Sequence, residues 1–323
     1  MSDISSIGVD ISSPKWDQST FFGRLRHFAA ITDMRKSIVS ATELEKAKAI
    51  VTGYSSGNCP PRITEDKLWQ AKHLYDSAFH PDTGERMNLF GRMSFQVPSG
   101  MTIISLLLQF YKTPGQVALM QWLNQSFNAL VNFTNRNAAS ETTTRQMMFA
   151  YVTATSTALG VALGLNAYSK QAPTIVARCV PFAAVAAANV VNIPLSRQSE
   201  LLHGVTITTE DGKVLGKSKK CAQKGISQVV ISRVTMAAPG MVFLPMVMEH
   251  LNKKAWFRRM TWTHLPIQTI GVGVFLTFMV PTACSIFPQK ASMDVSKLEH
   301  DLQKTIGEHN GNSVQKVYFN KGL

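Results

Sequence analysis

Six stretches of this chain contain no Asp, Glu, Lys or Arg: 93–111, 113–135, 146–169, 179–196, 234–248 and 260–289. A helix needs roughly 20 mostly apolar residues to cross about 30 Å of hydrocarbon, and several of these windows are long enough. Averages hide the pattern, because a mean hydropathy of +0.01 and an apolar content of 45% belong equally to a soluble protein. The charges are segregated. Residues 1–92 hold 12 of the 33 Lys+Arg and 11 of the 20 Asp+Glu, leaving 21 basic and 9 acidic residues to punctuate the rest. The pattern predicts an all-α fold: a polytopic membrane helix bundle of about five spans, with a polar helical N-terminal region. The expected division is 1–92 as that region, 93–288 as the transmembrane bundle and 289–323 as a polar C-terminal tail. The spans are expected near 95–111, 146–168, 174–195, 226–248 and 265–287.

The formal net charge of +13 raises nucleic acid as a partner. No compact basic patch interleaved with aromatics accompanies it. The densest run, Lys213 to Lys224, falls between two apolar segments, where basic residues anchor membrane topology. A lipid bilayer is the expected partner and nucleic acid is not. Cys59, Cys179, Cys221 and Cys284 are scattered without a CxxC pair or a metal-ligand spacing, so they read as packing residues. The first residues have neither the apolar core of a secretory signal nor an Arg-rich, acid-poor presequence, with Asp3, Asp10 and Asp17 coming early. Targeting is therefore expected to be carried by internal segments.

Within the polar region, Thr42–Glu45 has a capping-box pattern, and Thr64 followed by Glu65 and Asp66 opens a second helix. That helix carries Leu68, Ala71, Leu74, Tyr75, Ala78 and Phe79 on one stripe. The stretch NCPPR (58–62) separates the two. In the apolar part, Gly160 and Gly164 have the spacing that lets helices approach closely. Pro173, Pro181, Pro194, Pro239, Pro245, Pro266 and Pro281 punctuate the later spans, and broken helices of this kind commonly line substrate paths.

The polar residues inside the apolar windows are the candidate functional ones. At 100° per residue, Gln121, Asn124, Gln125, Asn128, Asn132 and Asn135 share one face of 113–135. Amides both donate and accept, so they can solvate a zwitterion without fixed charge. Interfacial placement, or bonding to neighbouring helices, is the competing reading. Asn189 and Asn192 share a face three residues apart, just before Pro194, whose ring frees the carbonyl of residue 190. They either satisfy that carbonyl or contact a polar substrate. Arg178 and Arg233 interrupt the third and fourth spans. Arg178 is near enough to an end to snorkel, whereas Arg233 is placed to bind a carboxylate. The expected substrate path is Asn124, Asn128, Asn132, Asn189, Asn192 and Arg233.

In HPDTGE (80–85), His80, Asp82 and Glu85 could serve as a divalent-metal set, a docking surface or simply a turn. Turn or docking is the expectation, with no metal and no cofactor assigned. The chain has no GxSxG, no HExxH and no phosphate-binding glycine loop, so no enzyme is expected.

Several blocks are distinctive: WDQSTFFGR (16–24), YDSAFHPDTGE (75–85), WLNQSFNALVNFTNR (122–136), VPFAAVAAANVVNIPL (180–195), SRVTMAAPGM (232–241) and VYFNKGL (317–323). Together they resemble the sideroflexin family along essentially the whole chain. The resemblance implies a multi-pass protein of the mitochondrial inner membrane, imported without a cleaved presequence. It also implies amino-acid transport, with serine entering for one-carbon metabolism as the leading activity. Some members are linked to iron and haem homeostasis, which suggests a non-transporting interaction protein with a protein partner as an alternative. Tricarboxylate transport is a third. A multivalent anion needs several fixed membrane cations, and Arg178 and Arg233 are only two.

Overall fold

The computed structural model describes residues 9–57, 63–80, 83–110, 112–134, 143–169, 174–310 and 314–322. Asp82, Asn135, Cys59 and the NCPPR stretch lie outside these residues, as does the side chain of Arg178.

The N-terminal region is helical: α1 (Phe21–Ile31), α2 (Ala41–Ser55) and α3 (Glu65–Ala78). Thr64 caps α3, accepting from the Lys67 N–H at 3.4 Å. For α2 the capping box lies two residues earlier than expected: Ser40, not Thr42, accepts from the Glu43 N–H at 3.3 Å. Both positions fit the S/T-x-x-E pattern, and Ser40 is the one with extended backbone before the helix. Leu68, Trp69 and Ala71 of α3 pack on Ala47 and Val51 of α2 with Ile11, giving the region a core of its own.

The bundle follows with α4 (Gln96–Gln109), α5 (Pro114–Thr134), α6 (Thr144–Ser169), α7 (Thr174–Ser196), α9 (Lys219–Asn252) and α11 (His264–Ser285). Among the described residues, four helices are long and apolar enough to cross a membrane: Thr144–Leu165, Cys179–Ser196, Lys219–Asn252 and Thr261–Ser285. They correspond to the second to fifth expected spans. The first becomes α4, whose 14 residues reach only about 21 Å. It stops because Thr113 precedes Pro114, which disfavours helical backbone there, and Pro114 then opens α5. Reciprocal capping boxes fix the starts of α5 and α6. Thr113 and Gln116 exchange backbone-to-side-chain bonds of 3.2 and 3.3 Å. Thr143 and Gln146 do the same at 2.8 and 3.3 Å. α4 belongs to the bundle all the same, since Val97 shares a core with Leu244, Met248, Val272, Leu276 and Val280.

The stretches expected to be a loop and a tail fold together. After α8 (Gln198–His203), β1 (Val205–Thr208) and β2 (Val214–Ser218) join β3 (Lys290–Asp294) and β4 (Lys316–Asn320) in an antiparallel sheet of order β2-β1-β4-β3. With α12 (His300–Asn310) the sheet buries Ile207, Cys221, Ala291, Leu298, Ile306, Val317 and Phe319. Glu299 ties this unit to the bundle. Its carboxylate accepts from the Lys219 and Lys220 N–H groups at 2.7 and 2.9 Å and from Ser218 Oγ at 2.8 Å, at the N-terminus of α9. At the other end of α9, α10 (Ala255–Arg259) turns the chain toward α11. Phe257 is fully buried and stacked on His264, while Trp256 and Trp262 are exposed beside Lys253, Lys254, Arg258 and Arg259, as suits a membrane interface.

Candidate functional site

A cavity of about 990 Å³ opens where the bundle meets its two polar regions. Its floor is made by the C-terminal ends of α5 (Val131, Asn132), α7 (Ile193, Ser196) and α11 (Val280, Ala283, Cys284) and by the middle of α9 (Ser232, Arg233, Met236). Residues 13–19, α1 and α3 wall one side. Tyr318, Asn320, Lys321 and Gly322 wall the other.

Arg233 is the central charge. It is half-buried, and among the described residues it has neither a carboxylate partner nor a hydrogen-bond acceptor. The hydroxyl of neighbouring Ser232 is buried and also has no partner. The remaining cations of the cavity are occupied. Arg197 makes a two-point contact with Glu200, 3.1 and 2.5 Å, and donates at 2.8 Å to the Lys321 carbonyl. Lys321 is buried and donates through Nζ to the Phe287 carbonyl at 3.3 Å, and burial pulls its ammonium below the ordinary lysine range. A free guanidinium that shares its cavity with a free hydroxyl and an amide is a site for a carboxylate carrying other polar groups.

Of the expected path residues, Asn132 and Arg233 meet at this cavity. Asn128 and Asn189 are half-buried, Asn124 and Asn192 are buried, and none of the four lines it. Among the described residues neither Asn189 nor Asn192 bonds the carbonyl of residue 190 that Pro194 frees. His80 is buried on the cavity wall. Glu85 is exposed, and the two join only through the backbone, His80 N–H donating to the Glu85 carbonyl at 2.9 Å in a turn closed by Gly84 at φ +63°. Among the described residues, no three His, Cys, Asp or Glu side chains are placed to hold a metal ion. Ser232, Arg197 and Lys321 were not singled out from the sequence. Ser232 could have been, because it adjoins Arg233 inside an apolar run, whereas Arg197 and Lys321 read as ordinary surface cations.

Behind the cavity wall, the His73 ring stacks on Trp16 at 5.1 Å and lies 6.0 Å from Trp69. Burial, then the positive charges of Lys36, His27, Lys15 and Lys72, pull His73 down to about 4. The folded form therefore holds His73 neutral, and its contribution to stability is complete above about pH 6.5 and is lost as pH falls toward about 4. Acidification across that window should loosen the Trp16 contact, seen as a change in tryptophan emission, and His73→Phe should shrink the transition. An identical acid transition in His73→Phe would remove His73 as its cause.

The sideroflexin family model matches residues 10–323. Human Sideroflexin-2 is 54% identical over 316 residues, covering 98% of each chain, and mouse Sideroflexin-2 gives the same figures. Human Sideroflexin-1 is 51% identical over 315 residues, again 98% of each chain. No solved structure matches. With its apolar bundle and this likeness along the whole chain, the protein is a membrane protein and belongs to the sideroflexin family.

Proposed function

We propose that this protein is a carrier of the mitochondrial inner membrane, not an enzyme, and that it moves a small neutral amino acid, serine foremost, toward one-carbon metabolism. Arg233 at the cavity floor, unpaired among the described residues and sharing the cavity with the Ser232 hydroxyl and Asn132, is what supports the reading. A zwitterion presents a carboxylate to the guanidinium and an ammonium to the Asn132 oxygen, while a serine hydroxyl can exchange hydrogen bonds with Ser232. In a partly desolvated site these contacts replace the hydration that the solute sheds.

Tricarboxylate is the second reading, favoured by Lys321 and Arg197 lining the same cavity. It is the weaker, because Glu200 neutralises Arg197. Uptake of labelled serine into proteoliposomes, with alanine, glycine and citrate as competitors, separates the two. Saturable uptake blocked by the neutral amino acids and not by citrate is expected. The reverse order would move the assignment to tricarboxylate. No uptake by folded protein would leave the N-terminal region, with its HPDTGE turn, as a docking surface for a partner in iron or haem handling.

A further inference from the structure

We propose that the cavity continues into a buried amide layer between α5 and α7, a second station for water and solute, and that an apolar gate closes this layer from below. The inference rests on the carrier reading for the identity of the solute, though not for the layer itself.

Three helices lead from the cavity to one apolar cluster. α5 reaches the cavity at Asn132. Going back along it come Asn128, then Gln125 and Asn124 about 10–12 Å from Asn132, then Met120 about 6 Å farther. α7 reaches the cavity at Ile193 and Ser196, preceded by Asn192 and Asn189 and then by Val185. α9 runs the other way, from Arg233 and Met236 at the cavity to Ala237 and Met241. Met120, Val185, Ala237 and Met241 meet in one apolar cluster with Leu107 of α4. α5 and α7 thus pass from the cavity through amides to this plug, and α9 reaches it directly.

Two amides of this layer do not behave as structural ones. Gln125 is 1% exposed, yet among the described residues neither its Nε2 nor its Oε1 has a hydrogen-bond partner, and Asn124 Nδ2 also lacks one. Gln268 of α11 shows what a structural amide in this bundle does: buried, it donates to the Ser105 carbonyl of α4 at 3.0 Å. Leaving donor and acceptor unpaired in a low-dielectric interior is costly, and native proteins seldom tolerate it. Water or a polar solute entering from the cavity satisfies these groups. The gate side chains suit a reversible seal, since two are unbranched methionines that repack readily.

The test is thiol accessibility in proteoliposomes. Cys59, Cys179, Cys221 and Cys284 are replaced by serine, and single cysteines are placed by Asn132→Cys, Gln125→Cys and Val117→Cys. Val117 is a fully buried control packed against Ala162 and Ala184. A small charged, membrane-impermeant thiosulfonate is the probe. Asn132→Cys should react fast. Gln125→Cys should react about 10- to 1,000-fold more slowly, as expected for a layer reached through a minor open state. Serine should slow it further. Adding Met241→Ala should raise the Gln125→Cys rate about tenfold and leave Asn132→Cys unchanged. A Gln125→Cys as inert as Val117→Cys, in protein whose Asn132→Cys reacts, overturns the proposal. Gln125→Cys that reacts without protection, in protein that takes up no serine, keeps the layer and gate while refuting the carrier assignment.

Discussion

Replacing Arg233 with glutamine is expected to lower serine uptake by about 30- to 700-fold at limiting substrate, the equivalent of about 2–4 kcal/mol. Among the described residues the guanidinium has no carboxylate partner to lose, so the variant strands no internal anion and should fold normally. That separates it from most buried-arginine substitutions, where the damage comes from the partner left behind. The carboxylate of the substrate is the one interaction at stake. The loss should therefore appear mainly in the concentration dependence of uptake.

Arg233→Lys sharpens the point. Lysine keeps the charge but offers a compact ammonium in place of a planar fork, so two-point carboxylate recognition goes while attraction remains. An intermediate defect is expected, with a preserved preference for neutral amino acids over citrate. Uptake by Arg233→Gln equal to the parent protein, at equal reconstitution, would take Arg233 out of the substrate site. Loss of thermal stability alongside loss of uptake would make its role structural.

Much of the bundle was legible because long apolar windows without charge, 146–169 and 260–289 foremost, have few alternatives to a membrane helix. The amide face of α5 was legible for a related reason: Gln121, Asn124 and Gln125 are buried together, as the 100° periodicity placed them. The sheet was not. β1 and β2 are 4 and 5 residues long, and β1 meets β4 at Thr208 and Tyr318, 110 positions apart. Short polar strands carry little signal of their own, and pairing at that range leaves no local trace. The cavity was half legible. Asn132 and Arg233 stand out as polar residues in apolar windows, but the walls depend on where the two polar ends of the chain return. Nothing near Lys321 says that its carbonyl will accept from Arg197, and nothing near Arg24 says that it will reach the end of α11.

That last contact sets the second large effect. Arg24→Ala should destabilise the protein by about 2–4 kcal/mol, lowering its unfolding temperature in detergent by about 5–10 °C. Arg24 is 7% exposed, and its Nε donates to the Ser285 carbonyl at 2.8 Å, 261 positions away in the chain. Its Nη1 donates to the carbonyls of Gln18 and Ser19 at 2.9 and 2.8 Å. One guanidinium thus satisfies a carbonyl at the C-terminus of α11, where a cation is favoured by the helix dipole, and clamps the loop that walls the cavity. The loop folds back so closely that a Cβ on Gly23 would sit 1.8 Å from the Asp17 carbonyl oxygen. With alanine at 24, three carbonyls lose their donor, and the loop loses its tie to the membrane helix. Residues 9–20 should then become sensitive to protease while the bundle stays helical. Arg24→Lys can reach one of the carbonyl sets but not both, so about half the loss should persist. Unchanged melting and unchanged proteolysis in Arg24→Ala would mean that the α1–α11 packing alone holds the wall. Because the loop borders the cavity and offers Arg233 no hydrogen-bond acceptor among the described residues, uptake by the variant should fall through access and leave the ranking of competitors as it was.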